Sequence, residues 1–240
     1  MAMIEFSASP ATLPPETRVY AIGDVHGCLD RLTRLHAAIA VDLEIRPVAD
    51  PLLLHIGDYI DRGPDSAQVI GYLRGPSPVR GARMVNLMGN HEDMLLTAIE
   101  AEDDVPASHW LSNGGRETLA SWSLPHKLPR AAWSERIPAP DLAFLRGLAL
   151  GHREGGYFFA HAGIRPGVAL ERQDRRDLMW IREPFLSFKG DFGFVVVHGH
   201  TPGRTPVVRP NRIGIDTGAV YGGGLTCAVL ETDRLGFLIA

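Results

Sequence analysis

Leu52-Leu53-Leu54-His55-Ile56-Gly57-Asp58-Tyr59-Ile60-Asp61-Arg62-Gly63 is an apolar run that stops at a glycine and passes at once into two carboxylates and a guanidinium. The run from Leu52 to Ile56 reads as a short buried strand, which puts the polar turn at its carboxyl end. The same pattern recurs outward from it. Arg18–Ile22 precedes Gly23-Asp24-Val25-His26-Gly27, Arg83–Leu87 precedes Gly89-Asn90-His91-Glu92, Tyr157–Ala160 precedes His161-Ala162-Gly163, and Phe194–Val197 precedes His198-Gly199-His200-Thr201. Between these runs the apolar spacing changes: Leu29, Leu32, Leu35, Ile39 and Leu43 follow a helical period, with further helices expected over Ser66–Leu73 and His91–Glu100. The β-α-β-α-β-α order implies an α/β fold with a parallel sheet and helices on its faces. Ligands of such sheets collect beyond the carboxyl ends of the strands, so the five polar segments are expected to line one crevice.

The remainder of the chain changes character. Asp103 to Pro140 has weak periodicity and clusters of Trp, Ser, Gly and Pro, which reads as an insertion containing short helical pieces. A helix is expected over Asp141–Leu148. Beyond it, Tyr157–Ala160, Phe194–Val197, Thr205–Val208, Arg212–Ile215, Leu225–Leu230 and Leu235–Ile239 read as strands bounded by Gly and Pro. Met1–Thr17 is rich in Ser, Ala and Pro and reads as a flexible lead-in, leaving residues 18–240 as one domain.

Composition narrows the function classes. At 240 residues, roughly 70% of the unfolded surface can be buried, so no disulfide is needed for stability. The net charge is -4, and no basic block with interleaved aromatics occurs, which argues against nucleic acid as a partner. Cys28 and Cys227 are far apart and lack the spacing of a zinc knot. No signal-length or 18-residue apolar run is present, so the expectation is a cytoplasmic protein without a membrane partner.

The polar segments offer Asp, His and Asn but no thiolate, a donor set suited to manganese, iron or zinc. There are enough donors for two divalent ions: Asp24 and His26, Asp58 as a bridge, then Asn90, His161 and His200. Such a pair attracts a phosphate dianion and lowers the pKa of bound water, so that hydroxide forms near neutrality. Arg62 is then placed to offer its planar fork to phosphate oxygens. His91, beside Asn90, is a candidate proton donor to the leaving oxygen, with Asp61 as its hydrogen-bonding partner. Glu92 reads instead as a first-turn carboxylate that complements the helix dipole. His200 is preferred to His198 as the last ligand. His36, His55, His109, His126 and His152 read as surface or core residues. Cys28 is read as a small buried hydrophobe rather than an oxidant-sensitive thiol. Trp110-Leu111-Ser112-Asn113-Gly114-Gly115 either walls a substrate groove or only packs the insertion.

In this order, the five segments resemble the PPP family of metal-dependent serine/threonine protein phosphatases in its compact bacterial and phage form. The motifs run from Gly23 to Thr201. The resemblance implies a calcineurin-like metallophosphatase fold, a central β-sandwich flanked by helices. It implies one metal on Asp24, His26 and Asp58 and a second on Asp58, Asn90, His161 and His200, most often manganese, with iron or zinc as alternatives. It further implies His91 as proton donor, Asp61 as its partner, and Arg62 and Arg182 as phosphate ligands; an ordinary surface ion pair is the other reading of Arg182. Tyr221, in the segment Ile215–Tyr221, is implied to face the substrate. The implied activity is hydrolysis of phosphoserine and phosphothreonine, or of a small phosphomonoester, by direct attack of a hydroxide bridging the metals. A symmetrical diadenosine tetraphosphate hydrolase on the same core is the alternative. That relative typically has Ala where this chain has Asp61 and Asp where it has Glu92. A non-catalytic phosphate-binding protein is the third reading.

Overall fold

The computed structural model describes residues 4–125 and 127–240. The chain starts with β1 (Phe6–Ala8) and β2 (Thr17–Ile22), then alternates through α1 (Leu29–Ile45), β3 (Asp50–His55), α2 (Ser66–Leu73), β4 (Arg83–Asn86) and α3 (Asn90–Glu100). The short helices α4 (Val105–Trp110), α5 (Arg116–Ser121) and α6 (Trp133–Arg136) lead to α7 (Ala139–Arg146). Then follow β5 (Gly151–Glu154), β6 (Tyr157–Ala160), α8 (Arg175–Trp180), β7 (Val195–His198), β8 (Val207–Arg209), β9 (Arg212–Gly214), β10 (Thr226–Glu231) and β11 (Arg234–Ile239).

The strands form two sheets, ordered β1-β11-β10-β2-β3-β4 and β5-β6-β7-β9-β8. The β2-β3-β4 and β6-β7-β9 ladders are parallel, while β10, β11, β5 and β8 join antiparallel. Side-chain alternation decides how the sheets stack. Val19, Ala21, Leu52, Leu54 and Ile56 share one core with Tyr157, Phe159, Val195, Val197, Ile213 and Ile215, so the inner faces of the two sheets pack on each other. Tyr20, Ile22 and Leu53 point the other way, into a core built with Leu32, Leu35 and Ile39 of α1 and Val69 and Ile70 of α2. Ala160 and Val196 face outward from the second sheet onto Leu178, Ile181 and Phe185. The fold is therefore a β-sandwich flanked by helices. The parallel run expected from the sequence exists, but it carries helices on one face only, because the other face is covered by the second sheet.

Three local expectations are corrected. The lead-in is not loose over its whole length: β1 pairs antiparallel with β11, Leu13 is buried, and Gly156 N–H donates to the Thr12 carbonyl at 2.9 Å. Backbone pairing to strands more than 100 residues away holds it, and such pairing leaves no periodicity in the segment itself. β5 was not expected; it is an edge strand of Gly, His, Arg and Glu that pairs, among the described residues, with β6 alone. The strand expected at Thr205–Val208 lies at Val207–Arg209 instead.

His36 and His55 are core residues, and their hydrogen bonds fix their tautomers; His126 lies outside the described residues. Asn86 Oδ1, 2.7 Å from His55 Nδ1, can only accept, so His55 Nε2 is left to accept from His36 Nε2 at 2.9 Å. Tyr72 then donates to His36 Nδ1 at 3.2 Å. A proton on His55 Nε2 would set two N–H groups against each other. Burial lowers the His36 pKa to about 4 and holds His55 well below the ordinary histidine value. The unfolded chain gains these protons first as pH falls, so the stabilisation is complete above about pH 6.5 and is lost toward pH 4, amounting to roughly 3 kcal/mol for His36 alone. Urea midpoints of the metal-free protein at about pH 7.5 and 5 should differ, and His36→Gln should reduce that difference. An unchanged pH slope in the variant would remove His36 as its source.

Candidate active site

The turns after β2, β3, β4, β6 and β7 meet at one edge of the sandwich, as the parallel order requires. Asp24, His26, Asp58, Asn90, His161 and His200 are all buried there. Much of their backbone is strained. Among the described non-glycine residues, eight have positive φ, and five of these are His26, Asp58, Asp61, Arg62 and His200. Left-handed backbone at such residues costs on the order of 1–3 kcal/mol each and persists only where the surroundings over-determine it. Gly89 is required for the approach of two turns, since a Cβ there would lie 2.3 Å from the Asp58 backbone nitrogen.

The hydrogen bonds around these side chains leave bare lone pairs facing one another. Ile56 carbonyl accepts from His161 Nδ1 at 2.9 Å, so His161 Nε2 is an acceptor; it faces Asn90 Oδ1 at 2.9 Å and Asp58 Oδ1 at 3.4 Å. Ile60 carbonyl accepts from His26 Nδ1 at 2.8 Å, so His26 Nε2 is an acceptor; it takes a hydrogen bond from Arg62 and lies 3.4 Å from Asp58 Oδ2. His200 Nδ1 lies 2.8 Å from Asn90 Oδ1, while its buried Nε2 has no partner among the described residues. Acceptors aimed at acceptors at this spacing fit a bound cation. Among the described residues, two groups satisfy the proximity expected of ligands, His26 with Asp58 and His91, and Asp58 with His161 and His200, each with donor atoms within 4.8 Å of one another. Asp58 belongs to both, as its bridging position in the sequence suggested.

Charge tells the same story. Burial, then the Asp216 and Asp58 carboxylates, hold the Asp24 pKa well above the ordinary carboxyl range. Burial lowers both His26 and His200 to about 3, keeping these rings neutral and able to ligate. His91 differs. Burial would lower it too, but the Asp58 charge and the Asp61 hydrogen bond outweigh that and raise its pKa above the ordinary value.

His91 Nδ1 donates to Asp61 Oδ2 at 2.6 Å, and its Nε2 lies 4.0 Å from Asp58 Oδ2. Arg62 Nη1 donates to His26 Nε2 at 2.5 Å, and its guanidinium lies 5.6 Å from the centre of the Tyr221 ring. Tyr221 is 66% exposed beside it. Arg182 is exposed just after Trp180, whose ring meets His200 edge-on at 6.2 Å. Its charge contributes to the lowering of the His200 pKa, and among the described residues it has no carboxylate partner within salt-bridge distance. His198 is turned away, against Phe185 and near Arg212.

Glu92 is the first-turn carboxylate expected on α3, but its role goes further. It is fully buried and accepts from the backbone N–H of Asp58 (2.9 Å), Tyr59 (2.7 Å), Ile60 (3.2 Å) and Gly89 (2.9 Å). It thereby holds the Asp58 turn to the start of α3. Burial and the nearby Asp58 charge raise its pKa to about 8, against four N–H groups that favour the anion. Asp216 was also not singled out. It is buried against Asp24 and accepts from Gly218 N–H at 2.9 Å. Trp110 and Thr118 of the insertion both reach Asp61. Trp110 Nε1 donates to Asp61 Oδ2 at 2.8 Å, and Thr118 Oγ1 to Asp61 Oδ1 at 2.6 Å. Of the two sequence readings of Trp110–Gly115, neither included a carboxylate partner for Trp110. The available signal was Gly114-Gly115, a pair that marks a turn and so a break in the insertion's helices.

A buried Asp/His/Asn cluster able to hold divalent ions, on a β-sandwich with helices outside it, defines a metallophosphoesterase. The chain belongs to the calcineurin-like phosphoesterase family, whose model matches residues 17–234. It is 33% identical over 220 residues to serine/threonine-protein phosphatase 1 of Salmonella typhimurium, covering 89% of this chain and 92% of that one. It is 29% identical over 231 residues to the asymmetrical bis(5'-nucleosyl)-tetraphosphatase PrpE of Anoxybacillus flavithermus, covering 85% and 87%. A crystal structure of a proposed diadenosine tetraphosphatase superposes with a TM-score of 0.67 at 25% identity, covering 98% of this chain and 99% of that one.

Proposed function

We propose that this phosphoesterase hydrolyses phosphoserine and phosphothreonine monoesters of proteins. In this reading Asp24, His26 and Asp58 hold one divalent ion and Asp58, Asn90, His161 and His200 a second, manganese being the preferred pair. The ions supply Lewis acidity that ionises a water near neutrality and offsets charge on the phosphoryl group. Arg62 and Arg182 bind the outer phosphoryl oxygens and orient the group for in-line displacement. His91 delivers a proton from Nε2 to the departing oxygen while Asp61 fixes the ring through Nδ1.

The hydrogen bond between His91 and Asp61 carries the choice of substrate class. A serine or threonine alkoxide is a strongly basic leaving group and needs a proton as the bond breaks. A nucleotide phosphate leaving from an anhydride is weakly basic and needs far less help. A raised-pKa imidazolium locked on a buried carboxylate is suited to the first task. The second reading, hydrolysis of a dinucleoside tetraphosphate, is favoured by the names of two of the similar proteins.

The test is phosphate release from a phosphoserine or phosphothreonine peptide and cleavage of diadenosine tetraphosphate, each after chelation and with or without added manganese. Manganese-dependent turnover of the peptide is expected to exceed that of the dinucleotide by at least about tenfold in kcat/KM. The reverse preference would establish the second reading, and absence of metal-dependent turnover with either substrate would sink both.

A further inference from the structure

The insertion between α3 and α7 reaches into the site at three adjacent points, all on Asp61 and Arg62. Trp110, the last residue of α4, is fully buried and gives its indole N–H to the Asp61 carboxylate, at 2.8 Å from Oδ2 and 3.1 Å from Oδ1. Thr118 of α5, also fully buried, donates its hydroxyl to Asp61 Oδ1 at 2.6 Å and accepts from Asp61 N–H at 2.8 Å. Between them, residues Leu111–Gly115 make the kink that joins α4 to α5, with Gly114 at φ 104°. The Gly114 carbonyl accepts from Arg62 N–H at 3.2 Å, and a Cβ on Gly114 would stand 2.6 Å from that nitrogen.

With His91, the Asp61 carboxylate thus accepts from three side chains of three different elements. The oxygen that binds His91 also binds Trp110, so the indole decides where that oxygen sits. We propose that Trp110 and Thr118 are positioning residues that lock the Asp61 carboxylate onto His91 Nδ1, and that the insertion is thereby part of the proton-delivery apparatus. The inference rests on the proton-donor reading of His91. Without the indole N–H, Asp61 keeps its burial but can rotate off the ring, and His91 Nε2 loses its aim at the departing oxygen.

Trp110→Phe removes the donor and keeps most of the ring's packing on Trp133, whose centroid lies 5.1 Å away. It is expected to lower kcat on a phosphoserine peptide about 10–100-fold, part of the 10²–10⁴ attributable to a positioned proton donor. KM and metal content should stay near wild type. With 4-nitrophenyl phosphate, whose leaving group needs little protonation, kcat should fall less than about threefold. Thr118→Val should reproduce the pattern, and Thr118→Ser, which restores the hydroxyl, should rescue it. In the zinc-loaded protein the low-field proton resonance of His91 Nδ1–H should shift in Trp110→Phe. Equal losses on both substrates, or none in either Trp110→Phe or Thr118→Val, would overturn the proposal. His91→Asn in the same assay separates the two layers. If it shows the leaving-group-dependent loss and Trp110→Phe does not, the positioning role fails and the proton-donor reading stands; if it shows none, both fail.

Discussion

His91→Asn is expected to keep its bound metal and its fold while kcat on a phosphoserine peptide falls by about 10²–10⁴. The backbone of residue 91 has its own place in the site, because its N–H donates to Asp58 Oδ1 at 3.1 Å, and that bond survives the substitution. An asparagine amide can still donate to Asp61, so the buried carboxylate is not orphaned. What disappears is the far ring nitrogen and the proton it carries. Steady-state kinetics with metal analysis of the same preparation checks the outcome. Loss of metal would show His91 to be a ligand, an arrangement that the proximity of His26, Asp58 and His91 permits.

Asp58→Asn is expected to have the larger effect, lowering kcat/KM by at least about 10³, since it weakens the carboxylate common to both candidate ligand groups. Each Asp58 oxygen faces a histidine nitrogen from a different side, His161 at 3.4 Å and His26 at 3.4 Å. The Asp58 pKa lies below the ordinary carboxyl range in spite of its burial, which keeps it ionised. An amide offers neither the charge nor two equivalent oxygens. In the wild type, metal at about a thousandfold excess over its dissociation constant should stabilise the fold by about 4 kcal/mol. Thermal melting with and without manganese after chelation should show that gain in the wild type and little of it in the variant. A full metal-induced shift in Asp58→Asn would mean that the ions are held without a bridge from this residue.

Glu92 and Trp110, whose partners in the site are not legible in the sequence, show where local pattern stops and packing takes over. Glu92 has the spacing of an ordinary capping box, and its bond to Gly89 N–H is the local part of that motif. Its other three donors come from residues 58 to 60, which adjoin it only because β3 and β4 are neighbours in a parallel sheet. The lead-in fails as a loose segment for the same reason, since its partner β11 is at the other end of the chain.

By itself the sequence determined the strand-end segments, their order and the residue types they bring together, because each segment is a local unit: an apolar run followed by a glycine-bounded polar turn. Asp24, His26, Asp58, Asn90, His161 and His200 were all readable in that way, as was the pairing of His91 with Asp61. Only the tertiary structure decided which face of the parallel strands carries helices, and that Trp110 and Thr118 close on Asp61 from 49 and 57 positions away. A hydrogen bond across such a distance depends on how helices and sheets pack, and packing is set by all the buried side chains at once. No periodicity in either partner records it.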